Sequence, residues 1–209
     1  MKTTLNHKLK LIKIMGMYLT ISTLFMTLTG CVIGNRIAQD GSDSHTSAGN
    51  IDVRDNNIAG DLSAYNGNIS IGQNADVKAV EIVNGNIAIG DFSRALSLET
   101  TNGNIITGKQ VLVTGDVKTV NGEIRIATKS VIGGNIITVT GDVVLADEAK
   151  VDGDIIIEKT GFILSKFETR VPIIEIGKDV IIKGKIHVYR PIELRLDPSI
   201  DPKIIVRHD

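Results

Sequence analysis

The chain holds a single cysteine, Cys31, preceded by Leu28-Thr29-Gly30 at the end of an uncharged run. A lone thiol has no disulfide partner within its chain, so its chemistry must come from its position. Histidines could serve as acid, base or metal ligand. His45 lies among Ser and Thr, and His187 and His208 lie near the C-terminus. None has a partner at ligand or catalytic spacing in the sequence, and each reads as a surface histidine. Asp147-Glu148 is an acidic doublet that reads as a charged corner. The sequence has no CxxC, HxxxH, GxSxG or phosphate-loop pattern and no nine-residue calcium repeat. Catalysis, a metal and a cofactor are therefore not expected. The chemistry that recurs is that of amides, in Asn66-Gly67, Asn84-Gly85, Asn102-Gly103 and Asn121-Gly122. Side-chain amides at a constant interval can line a ligand stripe or hydrogen-bond to one another along a stack. The second role, a structural corner ladder, is the expectation here.

The region before Cys31 has the layout of an export signal. Its only charges are Lys2, Lys8, Lys10 and Lys13, and residues 14–29 are apolar or hydroxylated. That run is short for a membrane-spanning helix, which needs about 20 residues. Leu28-Thr29-Gly30-Cys31 resembles the lipobox of bacterial lipoproteins. The resemblance implies thioether-linked diacylglycerol on Cys31, cleavage between Gly30 and Cys31, and acylation (palmitate or similar) of the new amino group. Two or three acyl chains hold a protein stably on a bilayer, whereas one does so only marginally. Residue 32 is Val32 rather than Asp, which by the same resemblance points to the outer membrane in a Gram-negative envelope.

The amide pairs belong to a longer repeat. Three aliphatic columns run through the chain: Ile51, Ile69, Ile87, Ile105, Ile124, Val143 and Ile163; Leu62, Val80, Leu98, Val117, Ile136, Ile155 and Ile174; and Ala59, Val77, Ala95, Val113, Ile132, Val151 and Val171. Steps of 18 to 20 residues mark a solenoid. Within each repeat, apolar residues stand two apart, as in Ile69/Ile71 and Val80/Ile82, which is the period of a short strand. Gly and Asn between them suit corners. The fold expected is an all-β, single-stranded parallel β-helix of seven to eight triangular coils with almost no helix. A composition of 42% hydrophobic but only 3% aromatic residues suits a narrow core of stacked Ile, Val and Leu.

The expected boundaries are a signal segment at 1–30, a lipidated cysteine and flexible tether at 31–48, the solenoid at 49–188 and a C-terminal cap at 189–209. Residues 32–47 show no apolar periodicity. Pro191, Pro198 and Pro202 remove ladder donors, as an edge requires. The formal charge is −1, and −5 once the four N-terminal lysines are removed, which gives no reason to expect a nucleic-acid partner.

The NGNI-x-I-G coils over 49–130 resemble bacterial adhesin-type β-helix families. Val131-Ile132-Gly133-Gly134-Asn135-Ile136 and Ala149-Lys150-Val151-Asp152-Gly153-Asp154-Ile155 resemble the bactofilin type of polymer-forming scaffold. Both imply a right-handed coil, and neither has catalytic residues to carry over. The function expected is that of a lipid-anchored envelope protein with a structural, adhesive or interaction role. It would be held at the membrane by its anchor, with another copy, an envelope protein or a glycan as partner. The alternatives are a filament built by end-to-end stacking and, third, a carbohydrate-active β-helix enzyme.

Overall fold

The computed structural model describes residues 33–159 and 170–208. Cys31, the signal segment and Ile163 lie outside them. The described chain is a right-handed parallel β-solenoid of about nine turns. One side is a nine-stranded sheet: Arg36–Ala38, Ile51–Val53, Ile69–Ile71, Ile87–Ile89, Ile105–Thr107, Ile124–Ile126, Val143–Leu145, Ile173–Ile176 and Glu193–Leu196. The other two sides form one sheet of 13 strands, because Asp76–Asn84 and Arg94–Asn102 pass through the corner between them unbroken. Beyond them the chain has one more residue at this corner. Ala95 and Leu98 are three apart, whereas Val113 and Val117 are four apart around Gly115. That extra residue raises the period from 18 to 19 and splits the long strand into Leu112–Val113 and Val117–Asn121.

Stacking sets the register. Ile51 pairs with Ile69, Ile69 with Ile87, Ile87 with Ile105, and Ile105 with Ile124. All five are fully buried. Each such side chain contributes roughly 1.5–3 kcal/mol of apolar burial, and neighbouring coils share it, so the stack is stable where a lone coil is not.

The column assignments hold as far as Ile155 and fail beyond it. The next step is 31 residues, against 19 before it, because an insertion follows Ile157. Ile174 pairs with Val143 and so stands in the column expected to hold Ile163. The place expected for Ile174 belongs to Ile186, which pairs with Ile155. Val171 is 47% exposed, and Ile182 takes its place against Val151.

Both ends also differ from expectation. The span read as a tether contains the strands Arg36–Ala38 and Ser44–Ala48, and Ile33 already bridges Ala48. Its inward positions are polar, which hid its periodicity. Thr46 is buried, and its hydroxyl donates to the carbonyls of Gly34 and Ala48. Arg36 occupies the column position of Ile51. The span read as a cap carries a ninth coil, with Glu193–Leu196 against Ile173–Ile176 and Ile205–Arg207 against Ile186–Val188. Between these strands the chain makes a short 3-10 turn, Pro202–Ile204, capped by the Asp201 carboxylate. Ile200 and Ile204 pack against the core there.

Candidate functional site

The repeated amides form two ladders at one corner. In the first, Asn84 Nδ2 donates to Asn66 Oδ1 at 3.0 Å, Asn102 to Asn84 at 2.8 Å and Asn121 to Asn102 at 2.8 Å. Thr140 extends it, donating to Asn121 Oδ1 at 2.7 Å. The second uses the asparagine after the glycine, which the sequence presents as simple surface polarity. Asn50, Asn68, Asn86 and Asn104 each accept from the backbone N–H of the equivalent residue one coil on. An N–H at a corner has no strand partner, and the side-chain carbonyl supplies one. Asp and Asn do the same at the other two corners. Asp55 accepts from Gln73, Asp91 from Lys109, Asp61 from Ala79, Asp116 from Asn135, Asn135 from Asp154 and Asp154 from Lys185. The doublet Asp147-Glu148 belongs to this system. Asp147 accepts from the Lys178 N–H, and Glu148 holds the left-handed corner conformation at φ 60°. The corner acids and amides are thus committed to one another and to the backbone.

One set of titratable groups outside the corners forms a stripe. It runs along the solvent side of the 13-stranded sheet, through His45, Ser63, Glu81, Glu99 and Lys118 in register on five successive coils. His45 Nδ1 lies 2.6 Å from Ser63 Oγ. Their 18-residue separation, and the reading of His45 as part of a tether, hid this pair in the sequence. Burial pushes the Glu81 carboxyl up, and Asp61 adds to the shift. Burial does the same at Glu99, where Lys118 pulls against it. One Glu99 oxygen is buried without a hydrogen bond. Burial also acts upward on Asp116. The Asn135 N–H and the Lys118 ammonium, 2.9 Å from Asp116 Oδ2, together outweigh it and hold that carboxyl below the usual range.

The stripe has the side chains of an acyl-transfer site but not its wiring. Glu81 lies across Ser63 from His45, so it does not orient the imidazole. The strands that carry these side chains pair with one another in the parallel ladder. The arrangement can make hydrogen bonds and ion pairs with something laid along the rod.

The raised Glu99 has a measurable consequence. Its folded-state value lies above the ordinary 4.5, so ionisation works against the fold. That penalty stands in full above the folded value and vanishes as the pH falls below the unfolded one. Glu99→Gln should therefore raise the melting temperature at neutral pH, and the gain should disappear at about pH 4. Lys118 keeps Asp116 as its partner in the variant. Thermal melts of both proteins across this range check the result.

A second group sits at the last two coils. His187 Nδ1 and His208 Nε2 are 2.9 Å apart, so one ring donates to the other. Tyr189 stacks on His208 with ring centroids 4.1 Å apart, and Asp154 Oδ2 lies 3.8 Å from His187 Nε2. The two histidines, solitary in the sequence, are each other's partners. Among the described residues, no three His, Cys, Asp or Glu side chains converge as a metal site. No protein-family model, curated protein or solved structure matches the chain.

Proposed function

We propose that the chain is a lipid-anchored envelope protein whose solenoid projects from a membrane as a rod with a structural, adhesive or interaction role. The observation that carries the reading is the sequence Leu28-Thr29-Gly30-Cys31. It follows a lysine-bearing, then apolar, segment and stands directly before the first coil. With Val32 after the cysteine, the outer membrane is the proposed site in a Gram-negative cell. Nine coils at about 4.8 Å each give a rod roughly 40 Å tall. As far as Ile157 its corners are short and regular and its core is filled by aliphatic columns, as befits a surface that is contacted rather than a cleft that turns over substrate. The filament alternative is opposed by Arg36. End-to-end stacking would set Leu194, last of the aliphatic column, over that guanidinium, and a charge at an inward position is a known guard on a sheet edge.

Mutation of the cysteine tests the anchor. The wild-type protein should be processed, gain acyl mass at Cys31 and sediment with membranes. Cys31→Ala should lose all three. A variant that is still cleaved and still membrane-bound would sink the lipoprotein reading.

A further inference from the structure

We infer that the N-terminal end of the solenoid is a lipid-contact surface, seated directly on the phospholipid headgroups of the membrane that holds the anchor. The inference rests on acylation of Cys31 and adds to it the placement of the first two coils.

The argument begins with reach. Ile33 bridges Ala48, and the Gly34 N–H donates to the Ala48 carbonyl at 2.7 Å. Backbone paired into the solenoid therefore lies only two residues from Cys31 in the chain. Two residues span at most about 7 Å. The headgroup layer on each side of a bilayer is itself about 5–7 Å thick. With the acyl chains of Cys31 in the hydrocarbon, the first coil has no room to stand clear of that layer.

The surface at this end suits the location. Ile33 is 74% exposed, Ile37 53% and Ile58 61%. They stand one on each side of the rod. Ile37 is on the nine-stranded sheet, Ile58 bridges Asp76 on the second side, and Ile33 bridges Ala48 on the third. Isoleucines so exposed are unfavourable in water and favourable at the boundary between headgroups and acyl chains. Ile33 and Ile37 help to line a concavity of about 390 Å³ at this end, together with Gly34, Asn35, Arg36 and Ser42. Arg36 there offers a fork of donors to a lipid phosphate. The two ends are also unlike. The C-terminal end has Ile200 and Ile204 packed against the core, while among the described residues the first coil has no such cover. A bilayer surface would shield that edge, which otherwise invites strand addition.

The test uses the acylated mature protein in phosphatidylethanolamine–phosphatidylglycerol vesicles that contain a lipid with a nitroxide on its headgroup. A fluorophore is attached through Ile37→Cys on the first coil or Arg195→Cys on the last coil of the same side. Mass spectrometry and vesicle flotation first establish the anchor. Quenching should be several-fold stronger at position 37 than at 195. Equal quenching at both positions means a rod lying flat, and absent quenching at 37 means a rod held off the surface; either overturns the seating while leaving the anchor in place. A protein without acyl mass at Cys31 removes the anchor, and the seating falls with it.

Discussion

Gly85→Ala should destabilise the solenoid by at least about 3 kcal/mol, by adding a steric clash to backbone strain. Gly85 has φ 151°, a conformation that side chains rarely adopt. A Cβ there would also fall within bonding range of the Gly67 carbonyl oxygen in the preceding coil. That oxygen is backbone and cannot swing away, since the corners on either side are tied into the same stack. The Gly67 N–H donates to Asn84 O at 3.0 Å, and the Gly85 N–H to Asn102 O at 3.0 Å. Gly34 provides the control. Its φ is 128°, yet a Cβ there meets nothing within 4 Å, because no coil precedes it among the described residues. Gly34→Ala should cost about 1 kcal/mol, from strain alone. Urea melts of both variants measure the difference. Equal costs would show that the corner glycine is kept for its dihedral angle and not for the close approach of stacked coils.

That close approach also explains what could be read in the sequence. Column residues from Ile51 to Ile155 were legible because each lies directly over its equivalent, so one steric requirement is written at every step. The asparagine ladder was legible for the same reason. The role of Asn68, Asn86 and Asn104 was not, since an acceptor for a backbone N–H looks in sequence like any polar surface residue. Left-handed corners at Phe92, Lys129 and Glu148 were equally hidden. These residue types do not favour φ near 60°, and the stack imposes it on them. The assignment failed after Ile157 because aliphatic residues are dense there. Val171 and Ile174 fitted steps of 20 and 19 residues by coincidence, while the true step includes the insertion. The first coil was missed for the opposite reason. A terminal coil has a neighbour on one side only, so Arg36 and Ser44 can stand where interior coils carry Ile, Leu or Val, while Thr46 begins a column that continues as Ala64, Ile82, Thr100 and Thr119 and so shows no aliphatic pattern. The stripe from His45 to Lys118 joins residues 18 or 19 positions apart, and becomes visible only when the coils are stacked in register.

Register is also what the second large effect tests. Ile105→Ala should cost about 2–5 kcal/mol, and Ile106→Ala should stay within about 0.5 kcal/mol of wild type. Ile105 is fully buried between Ile87 below and Ile124 above, so its truncation leaves a cavity with stacked neighbours on both sides. Ile106 points outward and is 43% exposed. A strand slipped by one residue would exchange these two positions and reverse the order of the costs. Leu194→Ala extends the comparison along the rod. Leu194 continues the same column but pairs with Ile174 alone and is only partly buried. Its truncation should fall between the other two, because half of the stacked contact is missing in the wild type. Urea denaturation of the three variants gives the order directly. Ile105 above Leu194 above Ile106 is the signature of a column whose interior positions are supported from both sides, and a cost at Leu194 equal to that at Ile105 would show that burial within one coil outweighs stacking between coils.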